Sequence, residues 1–147
     1  MPSNDDWLIN SSKIFTDKCS NSYTKNKFEK LQLDWKKKKN ICVFRGSATG
    51  CGMSLDNNMR LKAAQLSLDN PKILDAGITD WKSRDKKYIG EPIKIINPKD
   101  FKFKLADGLT RQEQSEYKYI LNIGGYVSAF RLSSEMHMNS VILICQS

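Results

Sequence analysis

A chain of 147 residues is long enough for one domain around a single sizeable core and too short for two compact ones. Aliphatic and aromatic residues are ample, as in a soluble globular protein, and no apolar run is long enough to span a bilayer, so no membrane span is expected. The formal charge of +8, from 24 Lys and Arg against 16 Asp and Glu, favours contact with polyanions without naming one.

The segment 1–34 reads as an irregular lead-in. Trp7, Leu8, Ile9, Ile14 and Phe15 sit in a polar setting, followed by Tyr23, Phe28, Leu31 and Leu33 at weak helical spacing, with Thr24 as a candidate cap. Met1 to Asp6 is polar and acidic, not a basic-then-apolar leader, so the chain is expected to be cytoplasmic by default, with reduced thiols. Asn10-Ser11-Ser12 fits a glycosylation acceptor, a pattern short enough to arise by chance. Cys19, Cys42, Cys51 and Cys145 show neither C-x-x-C pairing nor histidines at zinc spacing, so no metal site is expected. Cys42 and Cys145 lie in apolar runs and read as small core residues. Lys36 to Lys39 form the densest basic cluster, read first as a solvated strand edge and second as a nucleic-acid contact.

Ile41 to Phe44 is a β-prone run that stops at Arg45, Gly46, Ser47, Thr49, Gly50 and Gly52 before a helix-like stretch reaching Leu68. Glycines let backbone N–H groups approach a ligand, the next helix adds a positive dipole end, and Arg45 brings a fork of donors, an arrangement suited to a phosphate. The same order also serves as a plain strand-to-helix connection. A P-loop is disfavoured because Met53, not Lys and a hydroxyl, follows Gly52, and the third glycine of a dinucleotide fingerprint is missing.

Ser54 or Asp56 is placed to cap a helix whose Met59, Ala63 and Leu66 share a face. Asn70-Pro71 stops it, and Lys72 to Ile78 supplies a second strand interrupted by Asp75, giving a βαβ unit and a parallel sheet. Thr79 to Leu109, with Trp81, Arg84, Pro92, Pro98 and a strand candidate at Ile93 to Ile96, reads as a long functional loop or insertion. Thr110 and Glu113 stand at capping-box spacing. Tyr117 to Ile123 is a strand, Gly124-Gly125 a turn, Tyr126 to Met138 a helix buried on much of its surface and carrying Arg131, and Ser140 to Cys145 a buried-type strand. Two phosphate-friendly turns then converge at the carboxyl edge of one parallel sheet.

In order and spacing these residues resemble glycosyltransferase family 90, the capsule-associated and lipopolysaccharide-modifying group that includes the protein O-glucosyltransferases. The likeness is carried by Phe44-Arg45-Gly46-Ser47, Arg60, Leu74-Asp75-Ala76, Tyr117-Lys118-Tyr119, Asn122, Gly125, Ala129-Phe130-Arg131 and Ser140-Val141-Ile142. It covers residues 35–147 and is greatest toward versions carried by giant DNA viruses, which would place the chain in a host cytoplasm.

The resemblance implies the donor-binding portion of a GT-B architecture, a Rossmann-like parallel sheet with flanking helices. It also implies sugar transfer from a nucleotide sugar, a UDP-sugar by expectation, to a hydroxyl on protein or glycan without a metal or other cofactor. By the same resemblance the donor is held by Arg45, Gly46, Ser47, Arg60, Asp75, Gly125, Phe130 and Arg131. Arg60 and Arg131 take the diphosphate, Ser47 and Gly125 allow its close approach, Arg45 supports the loop, and Asp75, just beyond a strand, accepts from sugar hydroxyls.

Each residue also has a plainer reading. Arg60 fits an exposed helix arginine, Asp75 a strand end, and His137 a packing or solvent-facing residue. Arg131, in an apolar helix, requires an anionic partner. The family's catalytic Asp lies upstream of Phe44-Arg45-Gly46-Ser47, and neither Asp5, Asp6 nor Asp17 falls in a matching motif, so no catalytic residue is assigned. The expectation is a partial domain, inactive alone. A basic nucleic-acid-binding protein using Lys36 to Lys39 is the alternative.

Overall fold

The computed structural model describes residues 31–50, 52–81, 96–125 and 131–145. Four strands, β1 (Lys39–Gly46), β2 (Leu74–Ile78), β3 (Tyr117–Ile123) and β4 (Val141–Cys145), form one sheet in the order β2-β1-β3-β4, every neighbouring pair parallel. Helices α1 (Met59–Asp69), α2 (Arg111–Ser115) and α3 (Leu132–Glu135) occupy the connections. The protein is therefore α/β with a Rossmann-like parallel sheet, as the alternation of apolar runs and helical stretches implies. No helix among the described residues is long and apolar enough to cross a membrane.

The sheet's two faces have different fillings. Cys42 and Phe44 align with Leu74 and Ala76 on β2, and Phe44 and Ile78 join Leu61, Ala63 and Ala64 of α1 with Ile123 in the larger buried cluster. Burying side chains such as Phe44, Leu61 and Ile78 contributes about 1.5–3 kcal/mol each, which fixes α1 across β1 and β2. On the opposite face Val43, Tyr117, Ile120, Leu31 and Met138 make a smaller cluster. Cys42 is half-buried and not part of either buried cluster, and partial burial pushes its thiol up to about 11.

Several boundaries differ from expectation for local reasons. Asn58, not Ser54 or Asp56, caps α1: its Oδ1 accepts from the N–H groups of Arg60 and Leu61, while Asn57 Oδ1 gathers Met53 N, Ser54 N and Ser54 Oγ into the preceding turn. Asp75 lies inside β2 opposite Val43 and does not interrupt it. The capping box at α2 forms as read, Glu113 N donating to Thr110 Oγ1 and Thr110 N to Glu113 Oε2. The helix expected through Met138 ends at Glu135, because Asn139 turns into the left-handed region at φ 49° and Ser140 Oγ donates to Tyr117 O. Tyr126 to Phe130, Ile93 to Ile95, Arg84, Pro92 and the lead-in through Lys30 lie outside the described residues. In the long connection Trp81 stacks on Phe101 and Phe103 at 5.5 and 5.6 Å. Ala106 N donates to Ile78 O, and only a glycine at Gly77 admits this strap, since a Cβ there would come within 2.4 Å of Ala106. Strand β4, read as buried, is instead an edge, with Val141, Leu143 and Ile144 at 44, 44 and 64 % exposure.

The basic run 36–39 is not a uniformly solvated edge. Lys38 is only 5 % exposed, and its ammonium donates to Ser115 O, Met138 O and Ser140 Oγ, joining the starts of β1, β3 and β4. Burial lowers its pKa. Lys39 instead pairs with Glu116 at the surface, at 2.9 Å. Removing one donor leaves two buried carbonyls unsatisfied, so Lys38→Ala should lower unfolding free energy by about 2–4 kcal/mol while Lys37→Ala stays within about 0.5 kcal/mol. Urea titration of both variants checks this, and equal midpoints would refute the buried tie.

Candidate functional site at the strand-order reversal

In a sheet ordered β2-β1-β3-β4 the connections leave β1 toward one side and β3 toward the other, so a crevice opens at their carboxyl ends. That position is occupied by the turn after Gly46 and by Gly124-Gly125. Arg60, in the first turn of α1, points back into it. Its Nε donates to Gly124 O (2.9 Å), Nη1 to Ser47 O (3.0 Å) and Thr49 Oγ1 (2.6 Å), and Nη2 to Ile123 O (2.9 Å). One guanidinium thereby clasps both strand ends.

Arg131 approaches the same place from the start of α3. Its Nη1 donates to Arg45 O, and its guanidinium carbon and that of Arg60 lie 5.5 and 5.8 Å from the centre of the Phe44 ring. A Cβ on Gly46 would meet Arg131 Nη2 at 3.0 Å and Arg60 Nη1 at 3.4 Å, and one on Gly125 would meet Thr49 Oγ1 at 2.9 Å and Arg60 Nη2 at 3.0 Å. Glycine at both turns is therefore a condition of this approach. Burial lowers both arginine pKa values, that of Arg60 to about 10 with the nearby Arg131 charge as a second cause. The carboxylate beside this pair is Glu135, whose Oε1 lies 3.8 Å from Arg131 Nε, while Arg60 donates to three carbonyls and a hydroxyl.

The expected residues divide accordingly. Gly46, Ser47, Arg60, Gly125 and Arg131 meet at the crevice, and Phe130 lies outside the described residues. Arg60 is buried and bonded, not an exposed helix arginine. Arg45 and Asp75 pair on one face of the sheet at 2.8 Å, Arg45 also donating to Phe44 O, Asp75 O and Asp107 O, and Asp75 Oδ2 accepting from Tyr117 Oη at 3.0 Å. Asp75 is not beyond its strand: it stands three residues before the end of β2, roughly 10 Å from the carboxyl edge at the usual rise per residue. Its structural role is to anchor Arg45.

Sequence reasoning passed over Glu135. It lies one helical turn after Arg131, is 1 % exposed, and accepts from Asn122 Nδ2 at 2.6 Å through Oε2, while Oε1 has no hydrogen-bond partner among the described residues. The detectable signal was a lone carboxylate four residues after an arginine in an apolar segment. Glu135 and Arg131 border an open pocket of about 340 Å³ lined also by Leu109, Thr110, Arg111, Gln114 and Met138. No group of three or more His, Cys, Asp and Glu that could hold a metal forms among the described residues.

No protein-family model matches the chain. It is 40% identical over 149 residues to uncharacterized protein 035R of Invertebrate iridescent virus 3 and 41% identical over 145 residues to uncharacterized protein 179R of Invertebrate iridescent virus 6. To uncharacterized protein 027R of Frog virus 3 (isolate Goorha) it is 39% identical over 118 residues. These alignments cover 100%, 90% and 75% of this chain but 13%, 12% and 12% of the relatives, so the chain spans about an eighth of the length of the curated relatives it matches.

Burial raises the Glu135 pKa above the ordinary 4.5, against the lowering effects of the Asn122 hydrogen bond, Arg131 and Arg111. The folded state then holds that proton more tightly than the unfolded chain. Its stabilising effect is complete below pH 4.5 and is lost as pH rises through the folded pKa. The melting temperature of the wild type minus that of Glu135→Gln should therefore fall between pH 4.5 and 7.5. A constant difference across that range would show an ordinary, solvated carboxylate.

Proposed function

We propose that this chain forms the nucleotide-sugar-binding portion of a glycosyltransferase that transfers sugar from a UDP-sugar to a hydroxyl on protein or glycan. The observation that carries the reading is the pair of guanidinium groups flanking Gly46 at the strand-order reversal, Arg60 buried and Arg131 half-buried, two cations with one carboxylate beside them. An anion placed there gains two favourable interactions in a poorly solvated site. A nucleoside diphosphate leaving a sugar gains negative charge in the transition state, which fixed cations stabilise without a metal.

The roles are unequal. Arg60 spends most of its N–H groups on Ser47, Thr49, Ile123 and Gly124, so it holds the two turns together and supplies charge. Arg131, with Nη1 on Arg45 O, directs Nη2 toward the space above Gly46 and is the better placed to reach a phosphate oxygen. Gly46 and Gly125 keep that space clear of side chains. In this reading the general base and the acceptor site belong to polypeptide of the kind the longer relatives carry outside the matched segment.

Isothermal titration with UDP tests the proposal. UDP should bind saturably, and Arg131→Ala should weaken it about 10- to 100-fold, the loss of one or two charge-assisted hydrogen bonds. Affinity for an oligonucleotide that falls steeply with salt and ignores Arg131→Ala, with no UDP binding, would overturn it in favour of a polyanion-binding surface.

A further inference from the structure

Half of one sheet face has no cover among the described residues. Leu121 and Ile123 of β3 align with Leu143 and Cys145 of β4, and strand alternation puts these four on the same face as α1. α1 crosses β1 and β2 and leaves β3 and β4 open. The handedness of the connections explains the gap: β1 leads to β2 toward one side of the sheet and β3 to β4 toward the other, so right-handed crossovers lie on opposite faces. Met138, between β3 and β4, accordingly belongs to the cluster on the far face.

What remains is an apolar groove of about 360 Å³ between α1 and β4, lined by Met59, Ala63 and Leu66 on the helix side and by Leu121, Leu143 and Cys145 on the sheet side. Leu66 and Leu143 are each 44 % exposed, and Ile73, which also lines the groove, is 64 % exposed.

Topology, width and charge together restrict the occupant. All-parallel sheets carry helices on both faces, and Val141–Cys145 has the wholly apolar composition of a strand enclosed on both. The open strip is two strands wide, roughly 10 Å, which is the diameter of one helix. A helix laid beside α1 sets apolar side chains at i, i+3, i+4 and i+7 into the groove. Lys62 lines the groove and Lys72 precedes Ile73; both are exposed, and neither has an anionic partner among the described residues. Acidic residues flanking the helix meet both lysines, whereas a second copy brings another Lys62 and another net charge of +8. The matched relatives hold most of their length outside this segment.

We propose that this groove docks an amphipathic helix with acidic residues beside its apolar face, supplied by polypeptide of the kind the longer relatives carry outside the matched segment. Lys62, Leu66 and Leu143 take no part in the crevice at Gly46, so the groove does not depend on the donor-site reading.

Overlapping peptides covering protein 035R of Invertebrate iridescent virus 3 outside the matched segment test this. The readout is alkylation of Cys42 and Cys145, both half-buried in the groove. An acidic, helix-forming peptide should slow alkylation of both thiols. Its affinity should fall about tenfold in Leu66→Gln and several-fold in Lys62→Glu, both exposed positions whose folding melting curves confirm. UDP affinity of both variants should equal that of the wild type.

Failure of every peptide to protect the thiols overturns the proposal, as does protection indifferent to Lys62→Glu. Thiols protected without peptide as protein concentration rises, in a dimer that Leu66→Gln disperses on sedimentation, assign the groove to a second copy instead. If UDP fails to bind while peptide protection holds, the donor-site reading falls and the docking groove stands.

Discussion

The architecture depends on one buried guanidinium. Arg60 collects two carbonyls at the end of β3, a carbonyl and a hydroxyl from the turn after β1, and so locks together two strands whose chain connections run in opposite directions. Carbonyl dipoles solvate its charge only in part, which is why burial and Arg131 together lower its pKa to about 10. A cation satisfied in this way keeps its field, and the crevice between the strands is accordingly electropositive. Gly46 and Gly125 follow from the same constraint, since a side chain at either would displace the guanidinium groups.

The opposite end of the sheet is tied by the same means. Lys38 joins Ser115, Met138 and Ser140 where β1, β3 and β4 begin, and near the carboxyl end of β1 Arg45 crosses to Asp75 on β2 and to Asp107 in the following connection. Tyr117 completes this group through Asp75, and the Asp75 partnership is one cause of the raised Tyr117 pKa after burial itself. Part of the chain's positive charge therefore serves internal fastening. Net charge alone overstates the surface offered to polyanions.

Glu135 balances this pattern. It is the carboxylate placed next to the converging arginines, and Asn122 fixes one of its oxygens while the other stands 3.8 Å from Arg131 Nε. Such an arrangement sets a buried carboxylate within a few ångströms of the guanidinium groups and offsets part of their charge.

The sequence by itself determined the alternation of strands and helices, the parallel sheet, the capping box at Thr110 and Glu113 and the convergence of two glycine turns. Apolar periodicity, β-branched content and glycine placement are local properties that act within a few residues. It also indicated that Arg131 needs an anionic partner, since a cation in an apolar stretch is costly wherever the stretch folds. Only tertiary structure decided which charges are inside: Lys38 and Lys37 are indistinguishable in sequence, and their difference arises from carbonyls at Ser115 and Met138, 77 and 100 residues away along the chain. The same holds for Asp75, drawn to Arg45 inside the sheet, and for Glu135, whose meaning comes from Asn122 on β3 and from a cavity walled by residues distant in sequence. Hydrogen bonding and desolvation depend on what packs against a group, and that is set by the register of the strands and not by the neighbours along the chain.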